Sequence, residues 1–215
     1  MTGYAVTELS VRVGGDEFRL RVLADRQQYF DPQGESERLG VAPATWSLFG
    51  VVWPAGVALA EQMQCFAVNG RRVLEVGCGL ALPSLALRRR GAEVIACDHH
   101  PLAGEFLAYN CALNGLAPIP FHRARWQEAC PALGRFDLII GADLLYEPDQ
   151  PALLAGFIGR HAHARTEVIV ADPGRAQRGR FAALMRGHGY AQSALPFGAA
   201  AAEAPRGSIL RFTRD

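Results

Sequence analysis

The stretch from Arg72 to Asp98 constrains the fold of this chain more than any other part of it. It begins with the apolar run RVLEV, passes through GCG into the helix-like LPSLALRRR, and ends in a second apolar run, VIACD. Strand, helix and strand at this spacing imply parallel pairing with a right-handed crossover. The stretch therefore predicts a βαβ unit inside an open parallel sheet.

Other apolar runs of strand length follow the same alternation with helix-like or loop stretches. The parallel strands predicted in this way cover residues 72–76, 94–97, 136–142 and 166–171. The last two runs, residues 190–197 and 208–212, are separated only by the small-residue stretch GAAAAEAPRG, so we expect them to form a closing antiparallel hairpin. The sequence thus predicts an α/β fold with a doubly wound, mostly parallel sheet.

The first part of the chain has a different pattern. Residues 9–23, LSVRVGGDEFRLRVL, alternate apolar and polar residues on both sides of Gly14, Gly15 and Asp16, which is typical of a β-hairpin with a glycine turn. Residues 25–43 are polar and indicate a loop or a partly mobile connection, and a helix is expected to begin near Pro54. We therefore expect two units, a hairpin with its connecting loop over residues 1–44 and the α/β domain over residues 45–215.

Composition narrows the possible functions. The 22 Lys and Arg residues nearly balance the 21 Asp and Glu residues, so no long-range field attracts a polyanion, and we expect no nucleic-acid partner. The five cysteines are widely spread without zinc-type spacing, which favours a reduced, cytoplasmic protein without a metal site. The start, MTGYAVTELS, lacks signal-peptide features, and no apolar run is long enough to cross a bilayer, so we expect no membrane partner.

A ligand site is predicted at the carboxyl end of the first parallel strand. Gly77 and Gly79 stand there, where open α/β sheets bind ligands and where glycine lets the backbone approach one closely. Asp98 ends the next strand, where a carboxylate can accept both hydroxyl protons of a ribose. A dinucleotide motif would need Gly or Ala where Leu82 stands, and Glu75 before the loop would repel a pyrophosphate.

A ligand with a cationic amino-acid moiety is favoured beside Glu75. S-adenosylmethionine has that character, since it combines an adenosine and its ribose hydroxyls with a sulfonium and an ammonium group, and has no phosphate. The alternative is that Gly77 and Gly79 only make a tight turn between strand and helix. The acids at both strands and the α/β alternation around them favour the cofactor site.

The pattern acid-x-Gly-x-Gly, followed by an acid at the end of the next strand, resembles the class I S-adenosylmethionine-dependent methyltransferases. Three further segments resemble their lysine methyltransferase-like group, which includes the electron-transfer-flavoprotein β-subunit lysine methyltransferases. GVVWPAGVAL resembles the pre-motif helix of that group, GADLLYEPD its acid-x-x-aromatic signature, and VIVADPGRAQ a segment of the flavoprotein-modifying members. The resemblance covers roughly residues 45–190 and implies a Rossmann-like, seven-stranded sheet whose last hairpin is reversed.

The resemblance also implies which residues form the site. Trp53 is expected near the cofactor and Trp126 at the adenine, although this chain has Arg125 before that tryptophan where relatives often have Asp. The cofactor-binding residues that it implies are Trp53, Glu75, Gly77, Gly79, Asp98, Trp126 and Ala142. The catalytic pair that it implies is Asp143 and Tyr146.

Methyl transfer from a sulfonium is an in-line displacement, so the protein mainly aligns the reactants and excludes water. A lysine acceptor must lose its proton, against an ordinary pKa of about 10.4, so the site should desolvate the amine. We expect Asp143 to accept a hydrogen bond from the amine and Tyr146, one helical turn on, to line the channel around its aliphatic stem. The alternatives are that Asp143 caps the following turn and that Tyr146 is a packing residue.

The sequence therefore predicts an S-adenosylmethionine-dependent N-methyltransferase that acts on a lysine of a protein partner. One alternative is a small acceptor such as an aromatic amine or a pyridine. A groove around Tyr146 would favour a protein, whereas a closed pocket covered by residues 25–45 would favour a metabolite. Another alternative is a non-catalytic scaffold that binds the cofactor or a partner.

Overall fold

The computed structural model describes residues 3–198 and 206–214. The strands are β1 (Val6–Val13), β2 (Asp16–Leu23), β3 (Arg72–Val76), β4 (Glu93–Asp98), β5 (Phe121–Arg123), β6 (Phe136–Ala142), β7 (Ala162–Asp172), β8 (Ala191–Phe197) and β9 (Gly207–Arg214). The helices are α1 (Glu35–Arg38), α2 (Pro54–Cys65), α3 (Leu82–Arg89), α4 (Ala103–Leu113), α5 (Gln150–His161) and α6 (Arg178–Gly187). As predicted, α2 begins at Pro54, where the missing N–H has no helical acceptor to lose.

The seven later strands form one sheet in the order β5-β4-β3-β6-β7-β9-β8. The pairs from β5 to β7 are parallel, and β9 runs antiparallel to both β7 and β8. The chain builds outward from β3 first through β4 and then through β6, so a crevice opens beside the carboxyl ends of β3 and β6. The predicted doubly wound sheet with a reversed last hairpin is confirmed, although residues 199–205 of the small-residue stretch lie outside the described residues.

Two apolar layers cover the sheet, because successive side chains of each strand point to opposite faces. Val73 of β3 packs in the layer of α2, α3 and α4, whereas its neighbour Leu74 packs in the layer of α5 and α6. The largest buried helix side chains in the two layers are Leu59, Met63, Leu85 and Phe106 on one face, and Phe157 and Phe181 on the other. This packing on both faces holds the carboxyl ends of the parallel strands, which carry the predicted site residues, at one edge of the sheet.

The N-terminal hairpin packs on α4 and shares a buried cluster with α2, α3 and α4. Its turn contains Gly14 in a left-handed conformation, at φ 56°, as a tight hairpin requires. Two amides of α4 bind the backbone of β2: Asn110 Oδ1 accepts the N–H of Arg21 at 2.7 Å, and Asn114 Oδ1 accepts the N–H of Arg19 at 3.0 Å. The predicted hairpin is present, and the division of the chain at residue 44 stays a prediction.

The connection between hairpin and sheet is mostly a loop, as predicted, but it also contains α1 and a 3₁₀ turn, Trp46–Gly50. The Asp31 carboxylate accepts the N–H groups of Ser36 at 3.1 Å and Glu37 at 3.0 Å, and Trp46 Nε1 donates to Ser36 Oγ at 3.1 Å. The four residues of α1 are too few to show a helical repeat of apolar residues, so the sequence pattern misses this helix.

The sequence pattern also misjudges two strands. It misses β5 because three residues, Phe121–Arg123, are too few to show an alternation. It also begins the strand β7 at residue 166, whereas the strand begins at Ala162, because the exposed residues HAR after Ala162 lack an apolar pattern. The missed strand β5 leads into the cavity wall at Trp126, whereas the misplaced start of β7 lies at the opposite edge of the sheet.

Candidate active site

A cavity of about 890 Å³ opens at the carboxyl edge of the parallel strands. Its walls come from the loops after β3, β4, β5, β6 and β7 and from residues between 39 and 53. Every site residue expected from the sequence lines it: Trp53, Glu75, Gly77, Gly79, Asp98, Trp126, Ala142, Asp143 and Tyr146. The volume lies in the range of small-molecule and cofactor sites, roughly 300–1,000 Å³.

The glycine loop after β3 is shaped by left-handed backbone and by close packing. Gly77 and Gly79 have φ values of 58° and 51°, a conformation that costs other residues energy. A Cβ on Gly77 would lie 2.6 Å from Leu144 Cδ2, and one on Gly79 would lie 2.8 Å from the carbonyl oxygen of Phe49. The loop therefore needs glycine for its own packing as well as for any ligand that approaches it.

Glu75 is buried at the base of the cavity and holds the start of α3. Its Oε2 accepts the backbone N–H of Ser84 at 2.9 Å and also the hydroxyl of Ser84. Burial raises the pKa of Glu75 to about 8, even though the bonds from Ser84 favour the ionised form. The carboxyl group of Glu75 therefore holds a proton to a higher pH than an exposed glutamate does.

Asp98, at the end of β4, stays ionised in the same surroundings. Its Oδ2 accepts the N–H of Gly79 at 2.8 Å and its Oδ1 the N–H of His100 at 2.9 Å. Burial raises the pKa of Asp98, but the hydrogen bond and charge of His99 and these N–H donors outweigh it, so the net pKa lies below the ordinary value. Of the two acids that the cofactor motif contains, Asp98 is thus the one with the lower pKa.

The two adjacent histidines after Asp98 have different environments. The His99 side chain is 44% exposed, whereas His100 is buried and stacks on Phe49, with ring centroids 3.7 Å apart. The Nδ1 of His100 accepts the N–H of Leu102 at 3.2 Å, and burial lowers its pKa to about 3, so the ring is neutral. Among residues 3–198 and 206–214, no group of three or more His, Cys, Asp or Glu side chains could hold a metal ion.

Asp143 lies just past β6 and is bound by Arg175 from the turn after β7. The Nε of Arg175 donates to Oδ1 of Asp143 at 2.7 Å, and its Nη2 donates to Oδ2 at 2.9 Å. Asp143 itself has a left-handed backbone, at φ 55°, and its N–H donates to the carbonyl of Ala171 at 2.8 Å. Within the part of the chain that the structure describes, this carboxylate accepts hydrogen bonds from Arg175 and from no N–H of residues 144–149, so the structure does not show Asp143 capping the following turn.

Tyr146 lines the cavity, but not from a helix. Residues 144–149 are non-helical and α5 begins only at Gln150, so the expectation that Tyr146 stands one helical turn beyond Asp143 is wrong. The left-handed Asp143 and Pro148 explain this, since proline disfavours helical backbone in the residue before it. Tyr146 is 37% exposed at the rim, and burial of part of its ring raises the pKa of its phenol.

The two tryptophans that the resemblance implies lie at the sides of the cavity. Trp53 precedes α2, and its Nε1 donates to the carbonyl of Leu48 at 2.9 Å, which fixes the indole plane. Trp126 follows β5 and lies over the glycine loop, where its Cζ2 would be 3.6 Å from a Cβ on Gly77. Both indoles are thus in place to contact a planar ligand in the cavity.

Sequence reasoning missed two contributors to this site, the connecting segment and Arg175. Residues of the connecting segment line it, including Leu39, Val41 and Phe49, and Arg175 closes it beside Asp143. Arg175 lies in the segment VIVADPGRAQ, for which the sequence showed only a resemblance to the flavoprotein-modifying members and predicted no role for the arginine. No local sequence pattern predicts that the connecting segment lines the cavity, because its position there depends on packing against the sheet.

The sequence profile described as "Lysine methyltransferase" matches residues 42–186, which is more than half of the chain. The chain belongs to the lysine methyltransferase family. Its predicted place among class I methyltransferases, in the lysine methyltransferase-like group, is thereby confirmed.

Several relatives within and near this lysine methyltransferase family are similar in sequence. The electron transfer flavoprotein β subunit lysine methyltransferase of Xenopus laevis is 33% identical over 169 residues, covering 75% of this chain and 64% of the relative. The protein of the same name from Homo sapiens is 29% identical, covering 75% of this chain and 60% of the relative. A histone-arginine methyltransferase of Xenopus laevis is 30% identical over 145 residues, covering 62% of each chain. The chain thus spans a little less than two thirds of the length of these relatives.

Solved structures of methyltransferases share the fold. A 16S rRNA methyltransferase of T. thermophilus, solved with AdoMet and guanosine, superposes with a TM-score of 0.67 at 18% identity, over 100% of this chain and 52% of the other. A methyltransferase of Pyrococcus furiosus superposes with a TM-score of 0.59 at 16% identity, over 86% of this chain and 87% of the other. At such identity the likeness concerns the fold, and it agrees with the predicted Rossmann-like sheet.

Proposed function

We propose that this member of the lysine methyltransferase family is an S-adenosylmethionine-dependent N-methyltransferase that methylates a lysine side chain of a protein. The observation that carries the proposal is that three acidic side chains line one cavity: Glu75 of β3, Asp98 at the end of β4, and Asp143 just past β6. The residues proposed to bind the cofactor and the residue proposed to bind the acceptor amine therefore line the same cavity.

The residues of the cavity fit this cofactor better than a dinucleotide. The two arginines among the lining residues, Arg125 and Arg175, are each paired with a carboxylate, that of Glu128 and that of Asp143. A pyrophosphate binds N–H groups at a helix N-terminus, but here the carboxyl group of Glu75 already accepts the N–H of Ser84 in the first turn of α3. A ribose instead needs a carboxylate such as that of Asp98. When bound, S-adenosylmethionine supplies a methyl group carried on a sulfonium sulfur.

Each cofactor-binding residue has a proposed role. The ionised Asp98 accepts hydrogen bonds from the ribose hydroxyls, and Glu75 lies towards the amino-acid end, with its carboxyl group close to the start of α3. Gly77 and Gly79 give the backbone a path around the ligand. Ala142 and the indoles of Trp53 and Trp126 line the sides of the cavity, with Trp126 on the adenine.

On the acceptor side, Asp143 and Tyr146 have the proposed catalytic and lining roles. Asp143 accepts a hydrogen bond from the incoming amine and thereby orients the lone pair of the amine nitrogen towards the methyl group. Tyr146, at the rim, contacts the aliphatic stem of the acceptor side chain. Residues 146–149 are all exposed at this rim, which supports a protein acceptor over an enclosed metabolite.

The family profile and several flavoprotein-modifying relatives support lysine as the acceptor residue. Arginine is the second candidate, because histone-arginine methyltransferases are also among the relatives. A small aromatic amine or pyridine is the third candidate, since residues of the connecting segment do line the cavity as a metabolite pocket would require.

A cytoplasmic location belongs to the same proposal. All five cysteines lie in the described residues and are free thiols, which agrees with a reducing compartment. Among the described residues, every helix is too short or too polar to span a membrane.

A transfer assay with four acceptors tests the proposed activity. The purified chain is incubated with S-adenosylmethionine labelled in its methyl group and with the electron transfer flavoprotein β subunit of Xenopus laevis, core histones, poly-L-lysine or nicotinamide. We expect label on lysine, located by tandem mass spectrometry. The rate of labelling should fall about 10- to 100-fold in Asp143→Asn. It should be unchanged in Glu61→Gln, which removes an exposed carboxylate on α2.

Other outcomes of that assay select the other candidates. Label on histone arginine would replace lysine by arginine as the acceptor residue. Label on nicotinamide alone would make the protein a small-molecule methyltransferase. No label on any acceptor would contradict the proposed activity and favour a scaffold.

A further inference from the structure

Arg175 lies in a turn that is held from inside the protein. Asp172, the last residue of β7, is completely buried, and its Oδ1 accepts the backbone N–H groups of Gly174 at 2.8 Å and of Arg175 at 2.9 Å. Gly174 has a φ of 98°, which only glycine adopts readily. The backbone from which the Arg175 side chain extends is therefore fixed.

From this turn, Arg175 reaches across to the end of β6 and binds Asp143 through two parallel hydrogen bonds, of 2.7 and 2.9 Å. Such a bidentate pair joins two planar groups and prevents rotation of the carboxylate. The Asp143 side chain is only 9% exposed and that of Arg175 is 39% exposed, so the carboxylate is the more shielded partner. Asp143 therefore has one orientation at the wall of the cavity.

The pair leaves Asp143 able to bind an amine. Each carboxylate oxygen has two lone pairs, and Arg175 occupies one on each oxygen. The other lone pairs can accept an N–H from an acceptor. Arg175 thus fixes the orientation of the Asp143 carboxylate but leaves lone pairs on it that can accept a hydrogen bond from an amine.

The charge of Arg175 matters as much as its geometry. A carboxylate alone next to a lysine amine favours the ammonium form, because a nearby opposite charge raises the pKa of an amine. That form cannot accept a methyl group, since its nitrogen has no free lone pair. A guanidinium on the same carboxylate opposes a second cation at short range and so weakens this preference.

We propose that Arg175 is a positioning residue, which orients Asp143 and offsets its charge so that Asp143 binds a neutral amine rather than an ammonium ion. The inference rests on the proposed function, because it takes the acceptor to be an amine. Asp172 of β7 and Tyr146 after β6 face the pair directly. Asp172 in turn faces Arg178 of α6, and Tyr146 faces Glu147 and Asp98 of β4. Every variant at position 175 keeps these residues, so a difference between the profiles follows from the loss of the Arg175 side chain.

The test compares pH profiles of the wild type, Arg175→Gln and Arg175→Lys. The control is Arg165→Gln, which changes an exposed arginine at the other end of β7. The kcat at saturating acceptor, which reports the protonation of the bound amine, is measured from neutral pH up to the ordinary lysine pKa, about 10.4. S-adenosylhomocysteine affinity is measured by calorimetry in parallel.

We expect the rising limb of the Arg175→Gln profile to move up by about one pH unit, which is about a tenfold loss at neutral pH that disappears at high pH. Arg175→Lys should show a smaller shift, since lysine keeps the positive charge but cannot form the two parallel hydrogen bonds of the guanidinium. The profile of Arg165→Gln and the S-adenosylhomocysteine affinity of all variants should be unchanged.

A loss by the same factor at every pH would show a merely structural role, and an unshifted profile or a lost S-adenosylhomocysteine affinity would also overturn the inference. These outcomes require an active wild type and leave the proposed function standing. A wild type inactive on the flavoprotein subunit, histones and poly-L-lysine would overturn the proposed function and this inference with it.

Discussion

Glu75 and Ser84 are joined by two hydrogen bonds to one carboxylate oxygen, from the backbone N–H at 2.9 Å and from the side-chain hydroxyl. The contact links the end of β3 to the first turn of α3, on the two sides of the glycine loop. The geometry of the loop therefore depends on a carboxyl group whose pKa burial raises to about 8.

This raised pKa predicts how the stability of the ligand-free protein depends on pH. Between the ordinary pKa of 4.5 and about 8, the folded state keeps a proton on Glu75 that the unfolded chain has lost. The contribution of Glu75 to the free energy of unfolding is present below pH 4.5 and is lost as the pH rises to about 8. The decline from this group is at most about 1.4 kcal/mol per pH unit.

Urea unfolding of wild type and Glu75→Gln at several pH values across this window measures the effect. We expect the free energy of unfolding to decline less steeply with pH in Glu75→Gln, because the amide cannot ionise. Equal slopes in the two proteins would show that Glu75 does not titrate in this range.

The close packing of Gly79 predicts a large cost for a small substitution. In Gly79→Ala, the new Cβ would lie 2.8 Å from the carbonyl oxygen of Phe49, on a backbone with φ 51°. We expect destabilisation of at least about 1–2 kcal/mol from the left-handed backbone alone, with the clash added. Gly179→Ala is the matched control, because this helical position has open space, and it should stabilise the protein by up to about 1 kcal/mol. Thermal unfolding that gives both variants the same melting temperature would contradict this packing.

The docking of the hairpin on α4 predicts a role for Asn110. Removing its amide in Asn110→Ala leaves the N–H of Arg21 without its acceptor in a partly buried place, which costs about 1–3 kcal/mol. Asn69→Ala, at an exposed position, should cost much less. Hydrogen exchange read at β2 is the direct measurement, and unchanged protection at Arg21 in Asn110→Ala would show that the hairpin is held elsewhere.

The sequence predicted most of the site, for reasons that particular residues make clear. Gly77, Gly79 and Asp98 are recognisable because each stands at a strand end, and parallel strand ends meet at one edge. The pairing of Arg175 with Asp143 spans 32 residues and depends on the twist of the sheet and the turn after β7, so no local pattern reports it.

Segments with weak local patterns were the ones predicted poorly. Tyr146 was expected on a helix, but the left-handed Asp143 and Pro148 keep residues 144–149 extended or turned. The burial of His100 against Phe49 could not be expected either, because these residues meet only through the packing of the connecting segment on β4.

The proposed role of Asp143 predicts a loss of transfer without a loss of cofactor. Asp143→Asn keeps the shape of the side chain but removes the charge that Arg175 and the acceptor amine both bind. We expect kcat/KM for the acceptor to fall about 10- to 100-fold, which corresponds to a charged hydrogen bond of about 1.5–3 kcal/mol. Calorimetry should find S-adenosylhomocysteine affinity within about threefold of wild type, below the 1.4 kcal/mol that a tenfold change requires. Normal turnover in Asp143→Asn would contradict the orienting role.

The central claim is that the cavity at the carboxyl edge of the parallel strands binds S-adenosylmethionine. Calorimetric titration with S-adenosylhomocysteine and, in parallel, with NADH tests this claim most directly. We predict that wild type and Glu61→Gln bind S-adenosylhomocysteine and not NADH, and that Asp98→Ala loses this binding because the ribose and the N–H of Gly79 lose their acceptor. Binding of NADH alone, or S-adenosylhomocysteine binding that Asp98→Ala leaves unchanged, would contradict the assignment.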